Sequence, residues 1–138
     1  MPLNDILNCP KNELWSVLDS DEAYDDKERW FFCKGIGMIE LCQLGEMLSV
    51  DSYDNLMSGF DLVGEPRDEG PWPQTIPETL TTRLATLSDD EIADVAPRWV
   101  TIEELQTTAT VESLTDYLTR LRTYLSGKSG GFFLVNAL

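Results

Sequence analysis

Carboxylates are the one reactive side-chain type this chain holds in abundance. Asp89, Asp90 and Glu91 stand in a row, Glu103 precedes Glu104, and residues 20–29, SDEAYDDKER, contain five acids. Paired carboxylates can divide acid and base work between them. Neither group is well placed for it. Asp89–Glu91 follow Ser88 at a predicted helix start, where negative charge offsets the helix dipole. Glu103 and Glu104 are adjacent and so face different directions on a helix. The chain has no histidine, which removes the commonest general base and the commonest transition-metal ligand.

Other chemistries fail on spacing. Cys9, Cys33 and Cys42 lack Cys-x-x-Cys spacing, so a zinc site is not expected. An odd count of cysteines is no disulfide framework and fits buried, reduced thiols in the cytoplasm. A calcium loop starting at Asp19 would have Asp21 at its third position. It fails at the fifth, sixth and twelfth, which are Ala23, Tyr24 and Trp30. There is no phosphate-cradling Gly-x-x-x-x-Gly-Lys loop, and Gly35-Ile36-Gly37 lacks the third glycine of a dinucleotide fingerprint. No catalytic residue, metal site or cofactor is expected, and the chain does not read as an enzyme.

The elements that must position these residues read as mostly helical. NELWSVLDS, 12–20, is a short predicted helix capped by Asn12. The acids from Asp21 onward open a further helical stretch. Residues 27–50 form the most apolar segment and read as one largely buried helix, bent at Gly35-Ile36-Gly37 or broken there into two. Glu40 and Glu46 interrupt that segment about 600° apart on a helical wheel, so one of them could face inward and would then need a partner.

Asp51 is expected to cap a short helix ending at Gly59, and FDLVGE, 60–65, reads as extended. EPRDEGPWP, 65–73, is a loop. Pro77 opens a helix with Leu80, Leu84 and Leu87 on one face. Ser88 and Glu91 spell a capping box for the next, in which Pro97 predicts a kink or restart before WVTIEEL continues it. Thr110 caps the clearest helix, 111–127, with Leu114, Leu118, Leu121 and Leu125 as its stripe. GFFLVNAL, 131–138, is β-prone and is expected to dock as a strand, with FDLVGE as its candidate neighbour. The expected fold is one mainly α domain over 1–138: a compact bundle of five to six helices, with a short β pair near the C-terminus as an option.

The charge narrows the partner. Ten basic against 25 acidic residues leave a net charge of −15. Such a field repels nucleic-acid phosphates and anionic membranes and attracts a basic protein. Mere solubility is the plainer reading of the same acidity. Aromatic residues set among acids would suit a basic partner's surface. Two clusters meet that description: Asp21, Glu22, Tyr24, Asp25 and Asp26, and then Asp51, Tyr53 and Asp54.

The acidic early segment, FFCKGIGMIELCQLGEML, the helical pair PETLTTRLATLSDDEIADVAPRW and the hydrophobic C-terminal end together resemble the small acidic, mostly helical bacterial immunity proteins of polymorphic toxin systems. The resemblance is one of style across most of the chain. It implies a cytosolic inhibitor that covers the active site of a cognate toxin domain, often a basic nuclease. A non-catalytic scaffold that is acidic for solubility is the alternative, and a small-ligand carrier or enzyme with an apolar pocket is the third.

Overall fold

A computed structural model describes residues 3–20, 25–33 and 35–137. Its centre is a four-stranded antiparallel sheet rather than the expected helical bundle: the fold is mixed α and β, with six helices around that sheet among the described residues. The strands are β1 (Leu3–Cys9), β2 (Trp30–Phe32), β3 (Trp72–Thr75) and β4 (Gly131–Ala137), in the order β2-β1-β4-β3. The helices are α1 (Leu14–Leu18), α2 (Met38–Met47), α3 (Tyr53–Gly59), α4 (Glu78–Ala85), α5 (Asp89–Trp99) and α6 (Val111–Leu125).

The expected C-terminal strand is present, but its neighbours differ from the expected one. β4 lies between β1 and β3, in registers that include Ile6↔Leu134 and Pro73↔Val135. FDLVGE runs along the far side of β3, through the bridge Leu62↔Gln74. Residues 27–50 are not one helix: Trp30–Phe32 form β2, and α2 starts only after Gly37. Asn12 lies within a 3-10 turn, Lys11–Glu13, and caps nothing. Asp25 and Asp26 lie in a turn region rather than a helix.

The sheet explains why its strands escaped a pattern search. Both faces are covered, so apolar residues do not alternate with polar ones. Ile6, Phe31 and Leu134 join the large core beneath α2 to α6. Leu7, Cys9, Trp30, Phe133 and Val135 form a smaller core with Leu14 of α1. Asp5 is buried on β1 and accepts the Cys33 amide at 3.1 Å; desolvation pushes its carboxyl up.

The helices follow local signals. The Ser88–Glu91 capping box forms, and the Glu91 carboxylate also pairs with Arg83 of α4. Thr110 caps α6 as expected, through the Ser113 amide at 3.0 Å. Pro97 sits in the last turn of α5, which runs through it to Trp99. The helix does not continue over WVTIEEL; turns follow instead. Trp99 is fully buried and its indole N–H donates to the Glu40 carbonyl at 2.9 Å, fixing α5 against α2. α3 and α4 approach α2 at Gly45, where a Cβ would stand 2.5 Å from Leu56 Cδ1 and 3.1 Å from Leu80 Cδ1.

Candidate partner-binding face

The second acidic cluster is built at the junction of α2 and α3. Ser52, not Asp51, is the cap of α3; its hydroxyl accepts the Asn55 amide at 3.2 Å. Asp51 stands one residue earlier and accepts the Ser52 amide at 2.8 Å and the Asn55 side chain at 2.9 Å. Glu46 reaches across from α2 to accept the Tyr53 amide at 2.8 Å. These hydrogen bonds hold Asp51 and Glu46 in place, and they keep the Asp51 carboxyl below its ordinary range.

Tyr53 is half-buried and packs on the main core. Desolvation raises its phenol, and the acidic groups of Cys42, Glu104, Asp54 and Glu40 raise it further. Three carboxylates from three elements therefore converge electrically on one tyrosine. Glu40 is half-buried and caps α2 by accepting the Gly37 amide at 3.0 Å. Glu46 is exposed. Neither is the unpaired buried acid that their positions in an apolar segment allowed. Glu104 is held by the side-chain amide of Gln43, 2.8 Å away.

The distribution of cations sets this face apart. Every one of the six arginines is in an ion pair: Arg29–Asp26, Arg67–Asp19, Arg83–Glu91, Arg98–Asp94, Arg120–Asp116 and Arg122–Asp89. None of those acids belongs to the group around Tyr53. Residues 35–66 contain no lysine or arginine at all, while holding Glu40, Glu46, Asp51, Asp54, Asp61 and Glu65. Among the described residues the carboxylates near Tyr53 have no cationic partner.

The first cluster divides differently. Asp21, Glu22 and Tyr24 lie outside the described residues. Asp25 and Asp26 are exposed. Asp26 accepts the Glu28 amide at 3.1 Å and pairs with Arg29 at 3.3 Å, so it is already neutralised locally. No hydrogen bond or ion pair among the described residues links Asp25 or Asp26 to the α3 group.

Of the four tryptophans, Trp30 and Trp99 are buried. Trp15 and Trp72 are half-buried. Trp15 carries the Arg67 guanidinium over its ring at 4.1 Å, and Trp72 donates to the Arg67 carbonyl at 2.7 Å. All three cysteines are buried and free. Burial pushes the Cys33 thiol up to about 12 and that of Cys42 up to about 11. Among the described residues no group of carboxylates and thiols could hold a metal ion, and no helix is long and apolar enough to cross a membrane.

The neighbours that complete the site, Glu40, Glu46 and Glu104, were not among the expected binding residues. The cation-free run from 35 to 66 was the signal for the first two. Nothing local marks Glu104, which arrives through the packing of the turn after α5 against α2. Comparison with protein-family models, curated proteins and solved structures gives no match.

Proposed function

We propose that this chain is a non-catalytic, cytosolic binding protein that neutralises a basic protein partner, in the manner of a bacterial immunity protein covering a toxin domain. The carrying observation is the acidic face around Tyr53, whose carboxylates have no cationic partner among the described residues. Unpaired carboxylates speed the encounter with a basic surface and exclude acidic ones. A half-buried tyrosine, already held by the core, loses little side-chain freedom on binding and serves as the contact anchor. Glu46 and Asp51 are fixed by backbone hydrogen bonds before any partner arrives, which lowers the ordering cost of association. The same charge turns away nucleic acids and anionic membranes. Buried, reduced thiols agree with a cytosolic setting.

The test is capture of partners from lysate of the source organism at low and high salt, in parallel with a variant carrying Glu40→Gln, Asp54→Asn and Glu104→Gln. The expected result is one basic protein, held one-to-one, weakened by salt and released by the triple substitution. Inhibition of that protein's toxicity by the wild-type chain, and not by the variant, completes the case. A partner that binds equally well to the variant removes this face from the proposal. Absence of any salt-sensitive basic partner favours the scaffold reading, in which the acidity serves solubility alone.

A further inference from the structure

A cleft of about 480 Å³ lies between α4 and the turn that leads from α6 into β4. That is within the size range of small-molecule sites. Ile76, Leu125 and Phe132 give it apolar walls, and Lys11 and Lys128 also line it. The chain has four lysines, and two of them meet here.

Neither of the two is neutralised. Among the described residues Lys11 and Lys128 form no ion pair, whereas every arginine does. Lys128 is half-buried and held in place: its ammonium donates to the Tyr124 carbonyl at 2.7 Å and lies 4.5 Å from the centroid of the Tyr124 ring. An ammonium carries three hydrogens, so two remain for a ligand. Threonines on the lining offer less. The hydroxyls of Thr75, Thr81 and Thr86 already donate to the backbone carbonyls of Gly59, Glu78 and Arg83.

The cleft is polarised along its length. Both lysines reach it from one end. Lys11 follows Pro10, and Gly130, two residues after Lys128, packs so closely on Pro10 that a Cβ there would stand 3.3 Å from the Pro10 nitrogen. Ala85, the last residue of α4, is tied to that same end, because the Ser126 hydroxyl donates to its carbonyl at 3.3 Å. Glu78, the carboxylate on the lining, opens α4 and so lies about 10 Å away along the helix axis. Cations thus gather at one end, and the carboxylate stands at the other.

We infer that this cleft binds a small organic carboxylate with an apolar body, its carboxylate held by Lys11 and Lys128 and pointing away from Glu78. The net charge of −15 penalises each negative charge on a ligand, so a monoanion fits better than a dianionic phosphate. At physiological salt the distant carboxylates are screened beyond about 8 Å, while the two ammonium groups act at contact. The inference does not rest on the partner proposed above: the acidic residues around Tyr53 do not line this cleft.

The experiment titrates the isotope-labelled full chain with naphthoate and follows amide chemical shifts by NMR. Naphthamide, which has nearly the same shape and no charge, is the matched probe. Saturable shifts are expected at Thr82, Ala85, Gly130 and Phe132, with naphthoate bound about fivefold more tightly than naphthamide. Lys11→Met combined with Lys128→Met should bring the two probes to equal affinity; each single substitution, which serves if the pair misfolds, should narrow the preference. Glu78→Gln should leave naphthoate binding unchanged or tighter. The inference is overturned if no saturable shift appears at those residues, if the wild-type chain binds both probes equally, or if the preference for naphthoate survives the lysine substitutions. Tighter binding of naphthyl phosphate than of naphthoate, or weaker naphthoate binding in Glu78→Gln, would overturn it as well.

Discussion

The side-chain amide of Gln43 donates to the Glu104 carboxylate at 2.8 Å and so ties the middle of α2 to the turn that follows α5. That link brings Glu104 near enough to Tyr53 to oppose loss of its phenolic proton. A negative charge beside a phenol disfavours the phenolate, so removing the charge must lower the pKa. Glu104→Gln is therefore expected to move Tyr53 down towards its ordinary value of 10, as read by NMR titration of ring-labelled tyrosine. Gln43→Ala should move it the same way by a smaller amount, because the carboxylate remains but is no longer held. An unchanged Tyr53 titration in Glu104→Gln would detach Glu104 from the acidic face.

Glu91 gives the acid limb of stability a definite window. Its bonds to Arg83 and to the Ser88 backbone lower its carboxyl from 4.5 to about 2. The folded state thus holds the ionised form more firmly than the unfolded chain does. The stabilisation is complete above pH 4.5 and is lost as pH falls from there through about 2. Glu91→Gln should be less stable than the wild type at pH 7, and the gap should close across that window. Urea midpoints at a series of pH values measure it; a gap of constant size would show that the substitution acts through packing or capping alone.

Gly130 tests the turn that delivers β4 to the sheet. Its φ of +86° lies in the left-handed region, and a Cβ there would stand 3.2 Å from the Cys9 carbonyl carbon. An L-residue costs about 1–2 kcal/mol in that conformation. Gly130→Ala is expected to lower the unfolding free energy by about that much, with the close approach to the β1 backbone adding to it. Equilibrium urea unfolding reads the change directly. A neutral result would mean that the turn relaxes without cost.

What was legible in the sequence was what neighbouring residues decide among themselves. Ser88 with Glu91 and Thr110 with the leucine stripe of α6 specify their helices within a few residues, and both helices are found. Asp51, Tyr53 and Asp54 are likewise close in sequence, and the structure keeps them together at one helix start. β1 was missed because LNDILNC carries Asn4, Asp5 and Asn8, which have low strand propensity, and because burial on both faces erases alternation. Trp30–Phe32 looked helical for the same reason: a short apolar run does not reveal its period. Glu104 depends on a contact with Gln43, 61 positions away, which no local pattern encodes.

β1 shares seven residue pairs with β4 and three with β2, so its main partner lies at the opposite end of the described chain. During synthesis on the ribosome, β1 emerges before the six described helices and waits for all of them before β4 can slot in beside it. α2 to α5 can gather in the meantime, but Leu134, which joins the sheet to their core, is still missing. Until then Ile6 and Leu7 have one neighbouring strand rather than two, and an unpaired backbone edge between apolar side chains stays open to other nascent chains. Completion of the sheet thus waits on β4, which follows every described helix in chain order.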